Sequence, residues 1–197
     1  AKWITPETLW KMGRVGDIHL SPDGSKFIYN VRTYSVEKNK GNSDLWLYDF
    51  TTHSSSVLAS DTVANETSGH WSADGKTIYF LSDEGGKSQL YQMNADGSAK
   101  KLISHLNDDI NEFEISKNGK MIWVTHTVQV DKVNGKDIFP DLPKTTGRVY
   151  DDLMMRHWDS WADGSYSHVF VGAFTGEVNE VKDIMKGESY DSPLKPD

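Results

Sequence analysis

Between positions 156 and 161, the stretch Arg156-His157-Trp158-Asp159-Ser160-Trp161 gathers a guanidinium, an imidazole, a carboxylate and two indoles. Groups of this kind hold charged ligands. Asp159 suits an ammonium, and Arg156 suits a carboxylate through its planar fork of donors. His157 and Trp161 are four residues apart and would share one face of a helix. A plainer assignment makes Trp158 and Trp161 apolar anchors, with Arg156 and Asp159 pairing or capping. Both readings stay open on the residues alone, and Arg156, His157, Trp158, Asp159 and Trp161 form the candidate binding cluster. Upstream, Asp151 and Asp152 suit the positive end of a helix dipole, so Val149 to Trp161 is read as helical.

Other chemistries find less support. The seven histidines, at 19, 53, 70, 105, 126, 157 and 168, are dispersed. Without His-Glu-x-x-His or His-x-His, a zinc site is not expected. There are no cysteines, which excludes thiol catalysis, zinc ribbons and disulfide frameworks. Asp159-x-x-x-Asp163-Gly164 has the outline of a calcium loop, but Trp161 takes the third ligand position and Phe170 the twelfth. No cofactor or metal is therefore expected. A nucleophile elbow reads Gly-x-Ser-x-Gly, and no such pentapeptide occurs. The chain by itself is not expected to catalyse. Asn65-Glu66-Thr67 is a formal glycosylation sequon to which no role is assigned.

The elements that must position the cluster are set by an internal repeat. Ile18-His19-Leu20-Ser21-Pro22-Asp23-Gly24-Ser25-Lys26-Phe27-Ile28-Tyr29 has a second copy, Gly69-His70-Trp71-Ser72-Ala73-Asp74-Gly75-Lys76-Thr77-Ile78-Tyr79-Phe80. A weaker third copy is Phe113-Glu114-Ile115-Ser116-Lys117-Asn118-Gly119-Lys120-Met121-Ile122-Trp123. The serines at 21, 72 and 116 give spacings of 51 and 44, the period of a four-stranded propeller blade. Each copy is an apolar strand, a tight Ser-x-Asp/Asn-Gly turn and a second strand rich in β-branched and aromatic residues. His19 and His70 hold equivalent positions, which points to a structural role.

Third strands follow at Asp44 to Phe50 and Gln89 to Asn94, and fourth strands at Ser55 to Ala59 and Lys100 to Ser104. The third blade is interrupted by a polar loop (Asp131 to Asp137), by Pro140 and Pro143, and by the helical stretch. It resumes at Ser167 to Phe174. The fold class expected is all-β, a partial β-propeller of about three four-stranded antiparallel blades with a short helical insertion in the third. The boundaries are an N-terminal segment over 1–16, blades over 17–60, 61–110 and 111–178 with the insertion at 126–166, and a linker over 179–197 that carries Pro193 and Pro196. A start at Ala1-Lys2-Trp3 reads as a processed or trimmed chain. Closed propellers have about four to eight blades. Three blades should either self-associate through open edges or belong to a larger protein.

Formal net charge is −8, from 21 basic and 29 acidic residues, with no basic block. That argues against nucleic acid as a partner. No apolar run approaches the ~18 residues of a membrane helix, and membrane association is not expected.

The Ser-Pro-Asp-Gly repeats resemble those of TolB-like propellers. Thr5-Pro6-Glu7-Thr8-Leu9-Trp10-Lys11-Met12-Gly13-Arg14-Val15-Gly16-Asp17 resembles the mature N-terminus of certain prolyl oligopeptidase-family serine peptidases. Arg148-Val149-Tyr150-Asp151-Asp152-Leu153-Met154-Met155-Arg156-His157-Trp158-Asp159-Ser160-Trp161, then Ser167-His168-Val169-Phe170-Val171, is similar to the third-blade insertion of the same group. Its nearest branch is the bacterial dipeptidyl-peptidase and acylaminoacyl-peptidase-like enzymes.

The resemblance implies a two-domain parent. A propeller would cap a C-terminal α/β-hydrolase domain with a Ser-Asp-His triad, filter peptides by size and help hold the peptide N-terminus over the nucleophile. It would place part of the 156–161 cluster on the cavity facing that domain, and it implies a periplasmic or secreted bacterial protein. Some members of the wider family bind the substrate amine through paired glutamates on a propeller helix. Here Asp151-Asp152 stands in a similar setting without Glu-Glu, so that role is not carried over. The alternative is a TolB-like periplasmic propeller that binds a protein partner.

Overall fold

The computed structural model describes residues 3–153 and 155–192; Met154, Pro193 and Pro196, named above, lie outside them. A one-and-a-half-turn helix comes first, α1 (Pro6–Lys11), capped by the Thr5 hydroxyl, which accepts from the Thr8 amide at 3.2 Å, with proline in the first turn, where its missing N–H costs nothing. Three four-stranded antiparallel sheets follow. The first holds β1 (Arg14–Leu20), β2 (Lys26–Ser35), β3 (Lys40–Asp49) and β4 (Ser54–Ala59). The second holds β5 (Glu66–Trp71), β6 (Thr77–Ser82), β7 (Gln89–Asn94) and β8 (Lys101–Leu102).

The third sheet begins with β9 (Glu112–Ile115) and β10 (Met121–Gln129). After an insertion containing α2 (Gly135–Ile138), β11 (Arg156–His157) and β12 (Ser160–Trp161), it continues with β13 (Ser165–Ala173) and β14 (Lys182–Asp183). Each sheet is a meander in chain order, as a propeller blade is. The all-β partial propeller is what the repeat predicts.

The shared sequence builds one shared turn. Ser21 Oγ donates to Asp23 Oδ1 at 2.6 Å and accepts from the Lys26 amide at 3.0 Å, while the Gly24 amide donates to the Ser21 carbonyl at 2.9 Å. Ser72, Asp74, Gly75 and Thr77 repeat that pattern, and Ser116, Asn118, Gly119 and Met121 repeat it again. Gly24, Gly75 and Gly119 sit at φ between +67 and +72°, where a Cβ would be strained. The hydroxyl of Ser21, followed by the Ser25 amide and hydroxyl, pulls the Asp23 pKa down to about 2. A second repeated feature has no obvious sequence signature: the β1–β2 and β5–β6 registers both slip by a bulge, with Asp17 and Ser68 at φ +47 and +52°.

Strand periodicity divides the second blade between its two neighbours. Ile78 and Phe80 of β6 face blade 1, joining Ile28, Leu45, Leu47 and Met93 in one apolar layer. Leu81, one residue on, faces blade 3 with Leu90, Phe113, Ile122 and Val124. Gly69 of β5 lies against blade 1 with no room for a side chain. A Cβ there would lie 2.9 Å from Leu45 and 3.0 Å from Ile28.

Two expectations are corrected. Val149 to Trp161 is not a helix: it runs through bends into the β11–β12 hairpin, and the helical turn of the insertion is α2 instead. Valine, tyrosine, histidine, tryptophan and aspartate are all weak helix formers, and the acidic pair cannot offset a run of them. Second, segment 179–197 is more than a linker. Its residues Lys182–Asp183 pair with Val171 and Phe170 and complete the third sheet. A two-residue polar strand has no periodicity to betray it.

Candidate functional site

The insertion forms an arm over residues 130–164, carried at the far end of the β10–β13 hairpin. Its root is tightly closed. The amides of Val130 and Asp131 both donate to the Gly164 carbonyl at 3.0 Å, and the Gln129 side-chain amide bridges the carbonyls of Asp131 and Asp163. Gly164 is required there. Its φ is +81°, and a Cβ would fall 2.1 Å from the Asp131 carbonyl oxygen.

Further out, a bridge between Asn134 and Arg148 and the bond from the Val149 amide to the Val133 carbonyl hold the arm's middle. The β11–β12 hairpin pairs Arg156 with Trp161 and His157 with Ser160. In this register the residue opposite Trp161 is Arg156, where the helical reading pairs Trp161 with His157. The register brings Arg156 and Trp161 together, with the guanidinium carbon 5.4 Å from the ring centroid, a cation–π distance. Tyr150 stacks on the other partner of this row, its ring 6.3 Å from Trp161 at 22°, and its hydroxyl donates to the Ala162 carbonyl at 2.7 Å. The order from Arg156 through Trp161 to Tyr150 is one ladder of polarisable groups.

Among the described residues, Asp159 accepts one long bond, 3.3 Å, from the Ser160 hydroxyl. No Arg156–Asp159 ion pair forms among the described residues, so the pairing offered as the plain alternative does not occur. Trp158 turns the hairpin at φ +51° and is 87% exposed, so it does not anchor the arm in a core. Trp161 is about half exposed. Leu153 and Phe139 add to the arm's apolar surface. The arrangement can offer a cation, a carboxylate and flat aromatic faces to a ligand or a neighbouring domain.

Three polar features were not identified as sites from sequence. The first crosses all blades on their leading strands. The His19 and His70 rings lie 4.2 Å apart, and His70 Nδ1 is 3.2 Å from Glu114 Oε2. Burial, then His19, lowers the His70 pKa against the opposing pull of Glu114. The signal was available, since Glu114 holds in the third repeat the place of the two histidines. A groove of about 740 Å³ runs beside this row, bordered by Trp71, Tyr79 and Phe174.

The second feature is Glu66, fully buried between blades 1 and 2. Lys100 Nζ lies 3.5 Å from its Oε1, and its Oε2 finds no hydrogen-bond partner among the described residues. Burial pushes its pKa up to about 7, in spite of Lys100. The neighbouring sequon residue Asn65 is engaged on both sides, donating to Asp83 at 2.8 Å and accepting from the Ser43 amide at 3.2 Å. The third is His168, fully buried in β13.

With this geometry established, comparison with known proteins gives the lineage. The TolB beta propeller domain family matches residues 11–140. The chain belongs to that family. This propeller is 39% identical over 194 residues to dipeptidyl-peptidase 5 of Porphyromonas gingivalis, a match covering 98% of the chain and 28% of that relative. Dipeptidyl-peptidase 5 of Porphyromonas endodontalis is 32% identical with the same coverage. The propeller thus spans under a third of the length of these curated relatives.

Among solved structures, Pyrococcus horikoshii acylaminoacyl peptidase superposes with a TM-score of 0.63 at 16% identity, over 89% of this chain and 26% of that one. A TolB structure from Agrobacterium tumefaciens gives 0.53 at 18% identity, over 84% of this chain and 47% of that one. Both share the propeller fold. The homologous regions of the peptidases are their propellers, and the arm of this chain lies inside the matched length.

Proposed function

We propose that this chain is the non-catalytic propeller of a serine exopeptidase of the dipeptidyl-peptidase or acylaminoacyl-peptidase kind. In this reading it limits peptide access by size and helps hold the substrate N-terminus over the nucleophile of a C-terminal α/β-hydrolase domain. The observation that carries it is the 39% identity to a dipeptidyl-peptidase running through 98% of the chain, arm included. The arm supports it chemically. Asp159 is available to a peptide ammonium, and Arg156 and Trp161 present a cation on an aromatic face. Export to the periplasm or beyond belongs to the same reading. So does association of isolated three-blade chains through the uncovered first blade, where Phe27, Tyr48 and Phe50 cluster within 5.5 Å of one another.

The deciding experiment is fluorophosphonate labelling of the full reading frame beside this chain. Labelling of the long form and not the short one supports the proposal. No labelling of either would leave the TolB-like alternative, a binding propeller. In an active long form, Asp159→Asn should raise KM by about tenfold, the ~1.4 kcal/mol scale of one exposed charged contact, with kcat little changed. An unchanged KM would remove Asp159 from the substrate path. A sedimentation measurement that finds only monomers at high concentration would end the association claim.

A further inference from the structure

His168 offers both ring nitrogens to acceptors. Nδ1 lies 2.9 Å from the Asp183 carboxylate and Nε2 lies 2.9 Å from the Glu188 backbone carbonyl. A carbonyl and a carboxylate can only accept, so both nitrogens carry hydrogen and the ring is an imidazolium. A buried charge of this kind persists only when paired and hydrogen-bonded on every side, as it is here.

Its partners belong to one stretch, residues 183–192, that folds back along β13. Neighbouring residues of β13 grip the same stretch. The Ile184 amide donates to Val169 at 3.1 Å, the Ser167 amide to Asp191 at 2.7 Å, and the Ser192 amide to Ser167 at 2.8 Å. Within the stretch, the Met185 amide caps Asp183 at 2.8 Å. The arm joins in at its root. Asp131 accepts from Tyr166 of β13 at 2.8 Å and from Ser189 of the folded-back stretch at 3.0 Å.

We propose that His168 is a proton-dependent latch, whose imidazolium fastens residues 183–192 to the third blade and, through Asp131, to the root of the arm. The groups facing it are Asp183 from β14, Asp191 and the Glu188 carbonyl from the folded-back stretch, and His126, its register partner on β10. His126 is itself occupied, with Nδ1 2.7 Å from the Asp109 carbonyl and its ring edge-on to Phe170. Burial pulls the His168 pKa down, but the bonds to Asp183 and Glu188 and the charges of Asp183 and Asp191 outweigh it and hold the pKa above its ordinary value.

The sign follows from linkage. The latched state binds the proton more tightly than the released one. The latch is therefore at full strength below the ordinary histidine value of about 6.5, weakens by up to tenfold per pH unit above it, and levels off beyond the raised value. This device stands independently of the peptidase reading, since it concerns only contacts within the chain.

The test is nitrogen-detected NMR of the intact chain with labelled histidine, run beside amide hydrogen exchange corrected for intrinsic pH dependence. At neutral pH His168 should show two ring N–H groups and a midpoint above that of an ordinary histidine. Exchange of residues 184–192 should rise by up to tenfold per unit toward that midpoint, while amides of Thr77–Ser82 keep their protection. Asp183→Asn should lower the midpoint and loosen 184–192 already at neutral pH, whereas His126→Gln should leave the midpoint in place. A ring with one N–H at neutral pH, or exchange in 184–192 that ignores the His168 titration, overturns the latch. Should Asp183→Asn fail to fold, the wild-type titration decides alone.

Discussion

The layer between blades 1 and 2 and the arm of blade 3 are both rich in aromatic residues, yet they are held by different physics. In the layer, Ile28, Leu45, Ile78 and Phe80 are fully buried, and packing fixes each side chain. In the arm, Trp158, Trp161 and Leu153 face solvent, and the chain is shaped instead by backbone bonds at Gly164, by the Asn134–Arg148 bridge and by rings stacked on one another. Burial makes a position costly to change, because removed atoms leave a cavity. Exposure makes it cheap to change, so large apolar groups kept on an exposed arm are more readily understood as surface for another molecule than as glue for this one.

Substitutions can break this contrast. Phe80→Ala should destabilise the chain by about 3–5 kcal/mol, measured by urea unfolding, because the ring is fully enclosed. A loss below about 1 kcal/mol would mean the layer is loosely packed. An intermediate effect is expected at Glu66, a carboxyl fully buried between the same two blades. Its pKa is raised, so the folded chain holds a proton that the unfolded chain gives up. Its contribution is therefore intact below the ordinary glutamate range and is lost as pH rises toward about 7, with a slope of up to about 1.4 kcal/mol per pH unit.

Glu66→Gln should accordingly match the parent near pH 5, exceed it in stability at pH 8 and flatten the slope between. An identical stability difference at both pH values would show that Glu66 does not hold its proton. The smallest effect belongs to the arm: Leu153→Ala, at a side chain 86% exposed, should change stability by no more than about 0.5 kcal/mol, read in the same unfolding experiment. A loss comparable to that of Phe80→Ala would show that the arm is part of the folding core after all.

The turns and the strands beside them were readable in the sequence because their causes are local. Ser21, Asp23 and Gly24 lie within four residues and bond to one another, so three copies of the pattern mark three blades before any packing is considered. Alternation in Thr77–Ser82 likewise announces a strand with two apolar faces. The arm was only partly readable. Its candidate residues fall on one hairpin, but the pairing there is not the one that helical spacing predicts. Spacing alone cannot tell a helix face from a hairpin register, and the pairing of Arg156 with Trp161 depends on a turn at Trp158 that has no turn residue at its first position.

Sequence by itself therefore determined the blade repeat, its turn chemistry, the all-β class and the absence of a Gly-x-Ser-x-Gly elbow, all of which depend on neighbours in the chain. Tertiary structure alone decided which polar groups lost their water. Glu66 is buried because blades 1 and 2 close over it. His70 meets Glu114 because the leading strands of blades 2 and 3 are adjacent. His168 keeps its charge because Asp183 and Glu188 return to it from fifteen and twenty residues further on. Desolvation and charge pairing are properties of surroundings assembled from distant segments, and no local pattern of residue types carries them.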